Sequence, residues 1–329
     1  MKLLLLGGTE FAGRAVAERA LARGWELTVF NRGSHAAPAG AVQLVGDRTV
    51  AGGLGALAEG EWDAVIDTWS KAPRAVQDAA RLLEDRVGRY VYVSSCSVYR
   101  WAPPAGYDEG AELVEGEAGA EGGDYAALKR GGELAVLESF GAGRSLLVRA
   151  GLLLGPYENI GRLPWWLGRI AQGGPVLAPG PRDLPLQYVD VRDMAEWMLD
   201  AVESGLSGPY NMMSPQGHTT MGGLLEAVVD VTGSDAELRW TDPQAILDAG
   251  IAPWTDLPVW TPPGTDMHDA LHAADVSRAV ATGLRCRPVR ETVADTWAWL
   301  QSIGGEAPQR PDRPRLGLAP ETEAKVLGL

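Results

Sequence analysis

The stretch Lys2-Leu3-Leu4-Leu5-Leu6-Gly7-Gly8-Thr9-Glu10-Phe11-Ala12-Gly13 decides the fold. Its apolar run is too short for the hydrophobic region of a secretion signal and reads as a buried first strand. Gly7 permits a tight turn, and Phe11 to Arg23 then carries apolar residues on one helical face and stops at Gly24. A helix that starts this close to a strand end presents unpaired N–H groups and a positive dipole end to whatever lies above the sheet. Gly13 lets helix and strand approach closely. A turn of this kind, lined by Gly7, Thr9, Glu10, Phe11 and Gly13, suits the pyrophosphate of a dinucleotide.

Further apolar runs at Glu26 to Phe30, Ala41 to Val45, Ala64 to Thr68, Arg89 to Ser94 and Ser145 to Arg149 alternate with amphipathic stretches. That pattern predicts an α/β, doubly wound parallel sheet, a Rossmann fold, with a smaller, discontinuous C-terminal substrate lobe. The expected division gives residues 1–156 to the dinucleotide-binding part, with 186–212 returning to it because Val189, Met194, Trp197 and Met198 share one stripe. Residues 157–185 and 213–304 form the lobe, and 305–329 a Pro- and Arg-rich tail with a short helix opening at Pro320.

Composition narrows the partners. The chain has 329 residues and a formal charge of −14, from 43 acidic against 29 basic residues, a balance that repels nucleic acid and anionic lipid. Two cysteines without CxxC spacing predict a reducing, cytoplasmic setting, and no apolar stretch is long enough to span a bilayer. The expected partner is a small molecule, and the expected assembly a monomer or homodimer. The sequence HDALH at His268 to His272 puts Asp where a zinc-protease helix has Glu, so no metal is expected.

The second strand ends Phe30-Asn31-Arg32-Gly33-Ser34, with no acid to hold a ribose 2′-hydroxyl. Arg32 and Ser34 are available to a 2′-phosphate instead, beside Asn31 as a further cofactor contact, which favours NADP(H) over NAD(H). Asp47 reads either as an adenine contact or as a turn cap, and Thr68 closes the fourth strand at the same edge. In Asp124-Tyr125-Ala126-Ala127-Leu128-Lys129, Asp124 is placed as a helix cap, and Tyr125 and Lys129 share one helical face. An ammonium beside the phenol would lower the tyrosine pKa toward a working general acid or base. Ser95, after the fifth strand, is placed to polarise a carbonyl between itself and Tyr125.

These motifs, with Val93-Ser94-Ser95-Cys96-Ser97-Val98-Tyr99, the run RAGLLLGP from Arg149 and QYVDVRD from Gln187, resemble the short-chain dehydrogenase/reductase superfamily in its extended or atypical, NAD-dependent epimerase/dehydratase-like branch. The likeness covers nearly the whole chain and implies Ser95, Tyr125 and Lys129 as catalytic residues. Glu10 stands where extended members have the fingerprint's middle glycine, Asp67-Thr68-Trp69 replaces the usual Asn-Ala pair, and Ala150 stands where Pro is common. Cys96 and Ser97 follow the serine where sugar dehydratases carry Asp-Glu, which disfavours dehydration.

Eight of the twelve tryptophans follow residue 150, and Trp165, Trp166 and Trp254 lie in loop-like sequence. With Tyr157 and Arg162 they are the expected substrate contacts. The acidic stretch Asp108 to Asp124 reads as a mobile loop over the site. The leading expectation is an NADP(H)-dependent oxidoreductase that transfers hydride to or from a carbonyl, carbinol or imine carbon, with Tyr125 as general acid/base. A nucleotide-sugar-type epimerase with retained cofactor and a non-catalytic dinucleotide-sensing protein are the alternatives.

Overall fold

The computed structural model describes residues 1–310 and 313–329. Among them, β1 (Lys2–Leu6), β2 (Glu26–Asn31), β3 (Val42–Val45), β4 (Trp62–Asp67), β5 (Val87–Ser95), β6 (Ser145–Ala150) and an edge strand Gly208–Met212 form one sheet. Its order is Gly208–Met212, β6, β5, β4, β1, β2, β3, and every neighbouring pair is parallel. Helices α1 (Phe11–Ala22), α2 (Pro73–Leu83), α3 (Tyr125–Arg144), α4 (Arg162–Ala171) and α5 (Val191–Glu203) follow in chain order.

The four-leucine run of β1 follows from its central position. Leu3 and Leu5 belong to the core under α1 and α5, while Leu4 and Leu6 belong to the core under α2 and α3. Alternate side chains of a strand point to opposite faces, so a strand covered on both sides has no polar face. Strand order reverses between β1 and β4, which opens a crevice at their carboxyl ends, beyond Leu6 and Asp67. The expected strands are present with ends shifted by up to two residues.

A second core lies under α4 and the helices Met221–Thr232 and Val289–Ser302, and it contains Trp166 and Trp260 with Leu163, Leu224 and Leu300. The tail joins it. Its helix Pro320–Leu327 buries Glu323, which accepts hydrogen bonds from Arg169 Nε at 2.7 Å and from the Leu177 amide at 3.0 Å. No helix of the described residues is long and apolar enough to cross a membrane.

Candidate active site

A cleft of about 1060 Å³ runs along the carboxyl edge of the sheet, from the Gly7–Gly13 turn past β4 and β5 to Tyr125, Arg162 and Trp254. Gly7 and Gly8 have φ of 119° and 91°, a region that side chains rarely adopt. A Cβ on Gly7 would lie 2.5 Å from Thr68 Oγ1, and one on Gly13 2.6 Å from Gly8 N. Glu10, at the N-terminus of α1, makes no side-chain cap; its carboxylate instead accepts from Asn159 Nδ2 at 3.0 Å. The first amides of α1 are therefore left uncapped beside the cleft, in a cradle too close for side chains, and this fits a bound diphosphate.

Gly7, Thr9, Glu10, Phe11, Gly13, Asn31, Arg32, Ser34, Asp47 and Thr68 all line this cleft. Asn31 Oδ1 accepts from Gly33 N at 2.8 Å and Gln43 Nε2 at 2.9 Å, while its Nδ2 is buried without a partner. Asp47 is a turn cap: its Oδ1 accepts from the Thr49 amide at 2.9 Å and the Thr49 hydroxyl at 2.6 Å. Those bonds, aided by the charge of Arg32, hold its carboxyl below the usual carboxylate range.

Asp67, a departure from the family pattern, has a structural reason. Arg48 binds both its oxygens, each at 2.8 Å, Tyr90 donates its hydroxyl at 2.6 Å, and the Trp69 amide caps it at 2.9 Å. The aspartate is fully buried, and the guanidinium and these donors outweigh the cost of burial, so its pKa lies below the ordinary value. Arg48 also lines the cleft, with its guanidinium 5.0 Å from the Trp69 ring.

Asp124 accepts from the Ala127 amide at 3.0 Å and starts α3 at Tyr125, so Tyr125 and Lys129 stand one turn apart on the face toward the cleft. Lys129 Nζ is buried and donates to the Trp69 carbonyl at 2.7 Å and the Val93 carbonyl at 2.6 Å. Burial brings its pKa down to about 7. The expected lowering of the tyrosine by Lys129 is not what the structure gives. Burial around the Tyr125 hydroxyl holds it above the ordinary phenol value, while a hydrogen bond with Ser95 and the charges of Arg313 and Arg162 pull it back. Part of the Tyr125 ring remains open, with 38% of the residue exposed at the cleft mouth. Ser95 is buried at the end of β5; its Oγ accepts from the Ser97 amide and lies 3.1 Å from Ser97 Oγ.

The substrate wall differs more from expectation. Arg162 and Trp254 line the cleft, with the guanidinium 5.0 Å from the indole centroid. Trp166 does not: it is fully buried, with its Nε1 donating to the Pro258 carbonyl at 2.7 Å. Trp165 packs edge-on against Trp166 at 4.6 Å, under Gly317 of the tail. Tyr157 turns away with φ 67°, held between Arg14, 3.7 Å above its ring, and Trp299. Arg169 is spent on Glu323, and His268 is buried against Thr261 at 3.0 Å. No His, Cys, Asp and Glu cluster among the described residues could hold a metal.

The acidic loop is tied down. The Val114 amide donates to the Val98 carbonyl at 2.8 Å, and Glu109 accepts from Arg149 through its carbonyl and from the Asn211 amide through its carboxylate. Trp101, Asn159, Ile160, Arg310 and Arg313 also line the cleft and were not expected there. The arginine-rich composition of the tail was visible in the sequence, but nothing in its pattern indicated that the tail returns to the sheet edge.

Solved structures of similar fold span nearly the whole chain. WbmH of Bordetella bronchiseptica in complex with NAD+ is 19% identical, over 92% of this chain and 99% of that one, with a TM-score of 0.67. The UDP-N-acetylglucosamine 4-epimerase of Methanobrevibacter ruminantium M1, in complex with UDP-N-acetylmuramic acid, is 17% identical over 92% and 98%, also at 0.67. The UDP-glucose 4-epimerase of Thermus thermophilus in complex with NAD is 21% identical over 92% and 99%, at 0.59. No curated protein matches the chain. The model of the NAD dependent epimerase/dehydratase family matches residues 3–214, and the chain belongs to that family.

Proposed function

We propose that this protein is an NADP(H)-dependent enzyme that moves hydride to or from a carbinol or carbonyl carbon of a small molecule, with Tyr125 as the general acid or base. The convergence of Ser95, Tyr125 and Lys129 with the glycine cradle in one cleft carries the reading. The dinucleotide, when bound, supplies the hydride donor or acceptor. Tyr125 gives its hydroxyl proton to the oxygen of a carbonyl that is being reduced, or takes it from a carbinol being oxidised. Ser95, which lines the same cleft and helps draw the pKa of that phenol down, orients the same oxygen from the end of β5. Lys129 spends two of its N–H groups on the carbonyls of Trp69 and Val93, which fixes its ammonium under the cleft with one N–H left for a ribose hydroxyl. Arg32 and Ser34, exposed where the second strand ends, supply the preference for a 2′-phosphate.

A second reading, an epimerase that oxidises and re-reduces one carbon on a retained cofactor, is favoured by the UDP-sugar 4-epimerases among the structures of similar fold. Titration with NADPH and NADH, followed by nicotinamide fluorescence in the wild type and Arg32→Ala, tests the cofactor. Tight NADPH binding that weakens about tenfold in the variant, at unchanged NADH affinity, supports the assignment. Binding of neither cofactor overturns it. Net consumption of NADPH by a ketone panel separates a reductase from an epimerase, which consumes none.

A further inference from the structure

Among the cations that line the cleft, Arg162 and Arg313 are not used by the reaction just proposed. Arg162 starts α4, its Nε is buried without a hydrogen-bond partner, and its guanidinium rests on Trp254. The neighbouring acid makes no ion pair with it. Both oxygens of the fully buried Glu158 are taken by the first amides of α4, from Arg162 N at 2.6 Å and Leu163 N at 3.2 Å. Burial raises that carboxyl to about 7, so much of it is uncharged at neutral pH.

Arg313 arrives from the opposite direction. The tail crosses the lobe, with Gly161 against the Pro308 carbonyl and the Gly317 amide donating to the Thr255 carbonyl at 2.9 Å, before Glu323 anchors its helix. Arg313 is thereby held with its guanidinium 5.4 Å from the Tyr125 ring centroid. Its charge acts on both Tyr125 and Arg162. Neither arginine reaches a carboxylate within ion-pair distance among the described residues, although the chain as a whole carries 43 acidic residues against 29 basic. Two guanidiniums without an ion-pair partner among the described residues, which repel each other beside one phenol, are stabilised by an anion lying between them.

We propose that Arg162 and Arg313 form an anion-binding pair at Tyr125, delivered in part by the C-terminal tail, which selects a substrate bearing a carboxylate or phosphate next to the carbon that reacts. This rests on the assignment of Tyr125 as the proton-transfer residue. The two guanidiniums orient the anionic substituent and so fix which carbon faces the phenol hydroxyl. Trp254 and Trp101 border the same end of the cleft and offer flat apolar surface to the rest of such a substrate.

Calorimetric titration of the full-length protein, saturated with NADP+, with malonate and separately with inorganic phosphate tests the pair. Saturation with NADP+ removes the glycine cradle as a competing anion site. Binding of either probe is expected, weakened at least about tenfold in Arg313→Gln and in Arg162→Gln. Tighter malonate assigns a carboxylate and tighter phosphate a phosphoryl group. Arg313 is exposed, so its substitution leaves the fold intact even where Arg162→Gln does not. Absence of binding by both probes, or equal binding in Arg313→Gln, overturns the pair. Failure of NADP+ itself to bind overturns the functional assignment alone, because the titration without it is still decided by its dependence on Arg313.

Discussion

The two walls of the cleft are made by different rules. On the sheet side, the functional groups stand at or close to the ends of regular elements: Gly7 after β1, Asn31 closing β2, Ser95 closing β5, Tyr125 opening α3 and Lys129 one turn further along it. On the lobe side, Trp254 and Arg313 come from irregular segments, and only Arg162 sits at a helix end. The first wall is positioned by hydrogen-bond ladders and two packed layers, and the second by a few side-chain contacts and a docked tail. A site divided in this way keeps its chemistry on the rigid wall and leaves recognition to the wall that tolerates change.

The largest effect that would break this comparison is on turnover. Tyr125→Phe removes only a hydroxyl, and kcat is expected to fall about 10²- to 10⁴-fold while NADPH affinity stays within a factor of two or so. A small change in kcat would move the chemistry away from the sheet wall. Next is the stability of that wall. Arg48→Met leaves the Asp67 carboxylate buried with only Tyr90 and the Trp69 amide, and unfolding in denaturant is expected to show a loss of about 3–5 kcal/mol. A loss below about 1 kcal/mol would mean that the buried pair contributes little to holding β4 in place.

The difference between the walls is also the difference in what the sequence makes legible. Short apolar runs, a glycine turn and a capped helix are local signals, and they located β1 through β6, the start of α1 and the start of α3 to within about two residues. The tryptophans of the lobe carry no such signal. Trp165 and Trp166, expected in a loop, stand in α4, where Leu163, Trp166, Leu167 and Ile170 are buried at helical spacing; Trp166 fills the core, Trp165 packs beside it, and of the three only Trp254, from an irregular segment, faces the cleft. An indole is large enough that either fate buries much of it, so only the tertiary packing decides. Arg313 was less legible still, because its place depends on an ion pair between Arg169 and Glu323, residues separated by 154 positions. The Asp67 and Arg48 pair is an intermediate case, with Asp67 closing β4 and Arg48 in the turn after β3, but with a partnership visible only in space.

Loosening the tail sharpens the comparison further. Glu323→Ala removes the acceptor of Arg169 and of the Leu177 amide, and about 2 kcal/mol of stability should be lost from the lobe. If the tail only covers the core, kcat and KM follow the folded fraction. If it also delivers Arg313, KM for an anionic substrate rises at temperatures where the protein remains folded, with kcat nearly unchanged.

The smallest expected effect is a pH dependence that belongs to the lobe wall alone. Glu158 has an ordinary value of 4.5 and is raised to about 7 in the folded protein, so between these values the folded chain binds more protons than the unfolded one. Stability therefore falls as pH rises through that window, the reverse of the usual salt-bridged carboxylate. Glu158→Gln keeps the shape and one acceptor for the α4 amides but cannot ionise. Relative to the wild type, the variant should gain about 2–3 kcal/mol between pH 5 and pH 8, read from denaturation midpoints at each pH. A constant difference between the two proteins would mean that Glu158 is already ionised at pH 5, paired with Arg162. In that case the guanidinium would be neutralised from below, and the lobe wall would offer a substrate anion Arg313 alone.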